Sequence, residues 1–466
     1  MNRQNGFVFP RWALLLAFAW LTAAQASGPL RISPVNPRYF TDDSGKAVYL
    51  TGSHTWNNLQ DMGPTDPPAR FDFEEYLRFL DAHDLNFIRL WRWELVSWNT
   101  AANHEQGRQI HFATPHPWPR TGAKNALDGK PQFDLSKFND AYFERLRARV
   151  SQAQRHGVYV SVMLFEGWGL QFVPEGWRAH PFNPANNLNG IDGDPNHDTK
   201  GLGIYTLAHP QITSLQEAYV RKVIDSINDL DNVLYEISNE NYPPSTAWQF
   251  HMIRFVQDYE RGKPRQHPVG MTFQYKGGKN ATLLASPADW ISPNPEAYDL
   301  FDYRTNPPAS DGSKVILSDT DHLWGIGGDS GWAWKSFLRG LNPIFMDPYK
   351  REILQRGSPD LWEPVRRALG DTRYFAQRMD LLRMGPRLDL ASTGYCLANP
   401  GTEYLVYLPK TQEALTLQVQ AGTYHYEWFK LPAREPQAEG DLAFQTGQRR
   451  FELPFTGAAL LHLRAR

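Results

Sequence analysis

The chain has 466 residues, a formal net charge of −2, 13% aromatic residues and 16 tryptophans. So small a net charge gives no general attraction to phosphate backbones or anionic membranes, which argues against nucleic acid as a partner. Cys396 is the single cysteine, so no intramolecular disulfide can form and a large apolar core must hold the fold together.

The first residues carry Arg3 and Arg11 without any acid, followed by an apolar stretch from Trp12 to Leu21 and then Ala24-Gln25-Ala26. A basic start, a short apolar run and small residues at a cleavage point describe a signal peptide over 1–26. The expected destination is secreted or periplasmic. The apolar run is too short to span a bilayer, and no later segment approaches the roughly 18 uninterrupted apolar residues that a spanning helix needs. After cleavage, about 440 residues remain, which favours a large domain plus a smaller one.

From about 46 to 385, short apolar runs alternate with stretches of helical period. Val48 to Leu50 precedes a helix whose Phe73, Tyr76, Leu77 and Leu80 share a face, and Phe87 to Leu90 precedes one carrying Phe138, Tyr142, Leu146, Val150 and Ala153. Val158 to Leu164 leads to a helix with Tyr219, Val223, Ile224 and Ile227, and Val233 to Ile237 to one with Met252, Phe255, Val256 and Tyr259. The later runs are Val269 to Thr272, Trp290 to Ser292, Val315 to Leu317 and Ile344 to Met346. Strands too apolar to alternate, separated by helices, belong to a parallel sheet covered on its outer face. Eight such units predict an α/β fold, a (β/α)8 TIM barrel over 29–385, with the extra length in loops. The longest insertions, Asn99 to Lys130 and Gly167 to Pro210, both follow strands and so belong to the face where barrel active sites lie. Beyond 387, Tyr404–Leu408, Leu415–Val419, Tyr424–Phe429, Arg450–Leu453 and Ala459–Leu463 read as short strands without an intervening helix. A small antiparallel β-sandwich over 387–466 is expected.

Polar residues just beyond the apolar strand cores are the ones a barrel exposes at that face. After strand 1 these include His54, Trp56 and Asn57; after strand 2, Arg89, Arg92 and Glu94; after strand 3, Glu166. Asn239 and Glu240 close strand 4, Asn294 and Glu296 strand 6, and Asp347 strand 8. Asp319, Asp321 and His322 follow strand 7, with Trp324 close behind as the candidate for stacking on a sugar ring. Glu236, inside strand 4, reads as a buried structural acid, and Arg89 either supports an ionised carboxylate or pairs with Glu236. Glu94 and Glu166 are candidate substrate contacts or loop caps. Asp319, Asp321 and His322 are also spaced as metal ligands, but no matching His or Cys set accompanies them, and no metal or organic cofactor is expected. The run Asp192 to Asp198 has alternating oxygen donors but lacks the glycine and distal glutamate of an EF-hand, so an ordinary turn is expected.

The segment Val233-Leu234-Tyr235-Glu236-Ile237-Ser238-Asn239-Glu240-Asn241 resembles the clan A glycoside hydrolases, retaining TIM-barrel enzymes in which an Asn-Glu pair closes strand 4. The resemblance implies Glu240 as acid/base, Asn239 on the sugar 2-hydroxyl, and a nucleophile at the end of strand 7. Here that strand is Val315-Ile316-Leu317-Ser318-Asp319-Thr320-Asp321, with aspartates where the clan has glutamate. The pattern of two apolar residues, a small one and an acid favours Asp319, with Asp321 as its rival on the same side of the strand. His54, Trp56 and Asn57 resemble the sugar-binding wall after strand 1. Together with Tyr404 to Pro409 and Glu427-Trp428-Phe429 in the tail, the chain resembles bacterial proteins related to the apiosidases, whose tail carries the label collagen-binding domain. That label implies an architecture and not collagen affinity.

These readings make the chain a retaining glycosidase acting on a polysaccharide or oligosaccharide, a monomer by default. The alternatives are a carbohydrate-binding barrel without catalysis and a metal-dependent hydrolase using Asp319, Asp321 and His322.

Overall fold

A computed structural model of the chain describes residues 27–100, 107–297, 299–410, 414–432 and 434–466. The signal peptide expected over 1–26 lies outside the described residues. No helix among the described residues is long and apolar enough to cross a membrane.

Eight parallel strands close into a barrel: β1 (Gly52–His54), β2 (Phe87–Leu90), β3 (Tyr159–Glu166), β4 (Val233–Asn239), β5 (Val269–Thr272), β6 (Trp290–Ser292), β7 (Val315–Asp319) and β8 (Asn342–Met346). The barrel closes where β3 pairs with β2 and β8 with β1. Every residue of these strands is buried, because helices cover the outside and side chains fill the inside. Seven of the eight apolar runs read from the sequence form barrel strands. The first does not: Ala47–Val48 belongs to a three-stranded antiparallel sheet with Arg31–Ile32 and Phe40–Thr41, and β1 starts four residues later. The stretch Gly52-Ser53-His54 carries no apolar signal, since its inward positions are a glycine and a histidine. Gly52 is required there, for a Cβ would lie 1.8 Å from the carbonyl oxygen of Phe87.

The lower barrel is packed with Phe87, Leu234, Trp290, Leu317 and Ile344, and Leu30, Phe40 and Leu50 from the N-terminal segment join the same cluster and plug that end. Around the barrel lie α1 (Phe73–Ala82), α2 (Asp140–Arg155), α3 (Pro210–Ile227), α4 (Thr246–Glu260), α5 (Asn280–Leu284), α6 (Ser330–Leu338) and α7 (Glu363–Ala376). Their apolar stripes follow the 3.6-residue period. Phe73, Tyr76, Leu77 and Leu80 are the buried residues of α1, whose first turn is capped by the Asp72 carboxylate accepting from the Glu75 N–H at 2.9 Å.

The polar top of the barrel is continued by the two insertions. Ser97–Thr100 pairs with Gln109–Thr114, which pairs with Asp61–Gly63, and Arg120–Asn125 pairs with Pro131–Phe133. In the second insertion, Asp192 accepts from the Asp194 N–H, Asp194 from Thr199 and Asp198 from Lys200. These carboxylates close turns of their own loop.

The C-terminal region is antiparallel: β9 (Gly385–Pro386), β10 (Cys396–Asn399), β11 (Glu403–Leu408), β12 (Ala414–Val419), β13 (Gly422–Lys430), β14 (Ala438–Phe444), β15 (Gly447–Glu452) and β16 (Ala459–Ala465). Six of these form a sheet in the order β9-β10-β11-β16-β13-β14, and β12 pairs with β15. One face of the sheet packs on β12 and β15 through Tyr404, Val406, Leu415, Leu417 and Leu461. The other face places Leu405, Tyr407, Phe429 and Leu460 in the same core as the barrel helices.

Candidate active site

Arg89 is the centre of the site. It points inward from β2, fully buried, and its guanidinium forks onto Glu236 of β4 through Nε (2.8 Å) and Nη2 (2.6 Å). Its Nη1 donates to Asp319 (3.1 Å) and Asp321 (2.8 Å), and Nη2 also donates to the Asn239 side-chain oxygen at 2.6 Å. Both sequence readings of Arg89, a partner for Glu236 and a cation for the strand-7 acids, are therefore realised by one side chain. The same cation bridges Asp319 and Asp321, two of the three residues whose spacing also suits metal ligands.

The two aspartates take different places. Asp319 ends β7 and is the N-cap of a short helix over Thr320–Leu323, accepting the Asp321 N–H at 2.9 Å. His54 of β1 holds it from the other side, with Nε2 at 2.9 and 3.1 Å from its two oxygens. Burial opposes ionisation of Asp319, but His54 and Arg89 outweigh it and hold its carboxyl well below the usual range. Asp321 lies two residues further on, where the chain has left the strand. Burial raises its carboxyl, Arg89 works against that rise and Asp319 adds to it.

A cleft of about 280 Å³ opens above this network, and Asp321, Glu240, Asn239 and His322 line its floor. Asp319 and Arg89 do not reach it; they border a closed space beneath, with Thr272 and Ser292. Glu240 follows β4 with φ 45°, a left-handed conformation uncommon outside glycine. Gln171 braces that turn, its Nε2 donating to the carbonyls of both Glu240 and Gly167 at 2.8 Å. Gly167 in turn lets the two loops meet, since a Cβ there would lie 2.6 Å from the Asn241 Cα. Burial first, and then the negative charge of Asp321, push the Glu240 carboxyl well above the usual range, with Arg89 opposing.

Asn239 and His322 are oriented by the same network. The Asn239 oxygen accepts from Arg89 and from His322 Nε2 at 3.1 Å, so its amide N–H groups are left for the cleft. His322 Nδ1 meets the Ser292 hydroxyl at 2.6 Å, and burial and then Arg89 push the imidazole well below its usual pKa, keeping it neutral.

Aromatic walls rise on both sides. Trp56, Trp91 and Trp168 form one, and Phe273 and Tyr275 continue it; Trp324 stands opposite with Arg304. Trp56 lies 5.9 Å from Trp168, and Trp324 is held edge-on against Trp332 at 5.7 Å. Of the residues singled out in the sequence, Glu240, Asp321, Asn239, His322, Trp56 and Trp324 meet in the cleft. His54 and Asp319 stand beneath it. Asn57 turns away to Glu352, 2.8 Å from its carboxylate. Glu166 caps its own loop, accepting the Trp168 and Gly169 N–H groups at 2.8 Å, and burial, eased by Gly169 and reinforced by Glu94, pushes it up to about 8. Glu94 accepts from the Glu166 N–H and the Tyr205 hydroxyl. Trp91 could have been found by alternation from Arg89, whereas Trp168, Tyr275 and Arg304 come from loops with no periodic signal.

The family model described as a domain of unknown function, DUF6298, matches residues 111–284, a stretch that includes Glu240 but not Asp321. Among curated proteins none matches the chain by sequence. Solved structures share its fold. A protein described as a glycoside hydrolase is 11% identical with a TM-score of 0.56, over 94% of this chain and 97% of that one. A family 5 glycoside hydrolase from Bacteroides vulgatus gives 11% identity and a TM-score of 0.56, covering 94% of each chain. A candidate glycoside hydrolase from the same organism gives 14% and 0.58, covering 94% of this chain and 83% of that one. The similarity extends through the C-terminal sheets as well as the barrel.

Proposed function

We propose that the chain is an exported retaining glycoside hydrolase in which Glu240 is the acid/base and Asp321 the nucleophile. The observation that carries the reading is that a glutamate at the end of β4 and an arginine-bound aspartate following β7 line one aromatic-walled cleft. The shared architecture with glycoside hydrolases, and the N-terminal leader pattern in the sequence, support it. Asp319, the choice favoured by the strand pattern, is assigned a positioning role because it has no surface in the cleft.

A sugar ring seated between Trp324 and the Trp56–Trp168 wall would present its anomeric carbon to Asp321. The Asp321 carboxylate attacks that carbon while Glu240 gives its proton to the departing glycosidic oxygen, leaving a covalent glycosyl ester. Once the acid has lost its proton, Glu240 takes one from water; the water oxygen attacks the anomeric carbon, the ester bond to Asp321 breaks to free its carboxylate, and the sugar leaves with its original configuration. Asn239 offers its amide N–H to a ring hydroxyl, and Arg89 keeps Asp321 ionised next to Asp319 and Glu236.

The purified chain should first be screened against polysaccharides and aryl glycosides. With a substrate in hand, a 2-deoxy-2-fluoro glycosyl probe of matching sugar should label Asp321, read by peptide mass mapping, and Glu240→Gln should lower kcat by about 10²–10⁴. Labelling of Asp319, or turnover unchanged in Glu240→Gln, would overturn the assignment.

A further inference from the structure

Arg304 lines the cleft on the same side as Trp324 and is the one arginine or lysine in its lining among the described residues. It comes from the loop after β6, in a turn closed by Asp302, whose carboxylate accepts from the Arg304 and Thr305 N–H groups, each at 2.8 Å, and from the Thr305 hydroxyl at 2.5 Å. The ends of that turn are bridged, Asp302 to Asn306, and the Tyr303 carbonyl accepts from the Trp332 indole. The guanidinium itself is aimed by its Nε, which donates to the Leu323 carbonyl two residues beyond Asp321.

What the group lacks is a counter-ion. Arg89, Arg366 and Arg434 each bind carboxylates within ion-pair distance, while no ion pair of Arg304 is found among the described residues. Asp302 is close enough to feel its field, but its oxygens are committed to the turn. Arg304 is exposed and its Nη groups are left free, and a planar fork with two parallel N–H donors matches a carboxylate or sulfate better than it matches a hydroxyl.

We propose that Arg304 selects an anionic glycan, one whose sugar next to the scissile bond bears a carboxylate or sulfate. The inference rests on the hydrolase reading for treating the cleft as a glycan site, so binding and turnover are measured separately. The full chain carrying Glu240→Gln is titrated calorimetrically with two matched pairs: polygalacturonate oligosaccharides against their carboxyl-reduced forms, and sulfated galactan oligosaccharides against their desulfated forms. The expected result is at least about tenfold tighter binding of one anionic member than of its neutral partner, a preference that weakens with added salt. The pair that shows it identifies the anion. Adding Arg304→Gln, which keeps a donor for the Leu323 carbonyl and removes the charge, should bring the ratio near one, with an unchanged melting temperature confirming the fold. Equal affinities within both pairs, no binding of any anionic member, or a preference that survives Arg304→Gln would overturn the proposal. Wild-type cleavage of neutral glycans with equal affinities removes the role of Arg304 and leaves the hydrolase reading standing. Anionic preference with no turnover of any glycan does the reverse.

Discussion

Arg89 serves three carboxylates, Glu236, Asp319 and Asp321, and acids outnumber cations around it, so removing one acid redistributes the others' protons. Asp321 is raised by burial and further by Asp319, and Glu240 is raised by burial and Asp321. In a retaining mechanism, activity is lost as pH falls through the nucleophile's pKa and as it rises through that of the acid. The acidic limb of kcat/KM should therefore lie above the range of an ordinary aspartate, about 3.9. Asp319→Asn deletes a negative neighbour of Asp321 and leaves more of Arg89 for it. The pKa of Asp321 then drops and the acidic limb moves to lower pH; a limb that stays or moves upward in the measured profile would show that Asp321 is not the group titrating.

At the level of elements, the positions of Glu240 and the strand-7 acids were legible because both follow apolar runs that end at the mouth of a barrel. The choice between Asp319 and Asp321 was not. Alternation puts both on one side only while a strand lasts, and this strand stops at Asp319, where a helical turn carries Asp321 forward. β1 was misplaced for a related reason: with Gly52 and His54 on its inner side, it has no apolar signature. Asn57 and Glu166 are polar residues in the right segments whose side chains are spent on Glu352 and on their own loop. No pattern in sequence distinguishes a carboxylate facing a cleft from one capping backbone N–H groups. The loops after β3 and β4 are also interdependent. Gly167→Ala would press a methyl group on Asn241, and overpacking of this kind costs about 1–3 kcal/mol. Because Asn241 adjoins the strained Glu240, the variant should lose both melting temperature and kcat; a loss of neither would show that the loops separate freely.

At the scale of the whole molecule, barrel and tail are joined by packed and charged contacts. Phe375 of α7 is buried and meets Phe429 of β13 edge-on at 4.9 Å, while Arg434 spans to Asp371 and Asp84. Truncating a buried phenylalanine costs about 3–5 kcal/mol, and Phe375→Ala should therefore destabilise barrel and tail together. Calorimetry is expected to show one transition for the wild type and for this variant; two separated peaks would mean that the tail folds independently. The sequence suggested a sandwich from its short strands, but that its other face packs on the barrel helices is invisible there, since Leu405, Tyr407 and Leu460 share that face of β11 and β16 with Glu403, His462 and Arg464, a mixture that reads as solvated.

Helix α6 ties this junction to the sugar-facing wall. Its nine residues begin at the capped turn that seats Trp332 against Trp324, and two residues later Trp334 stacks on Tyr407 of β11 at 6.2 Å. The tail thus acts as a buttress: whatever steadies or loosens its grip on α6 is transmitted, through two tryptophans two residues apart, to the ring on which a sugar would rest.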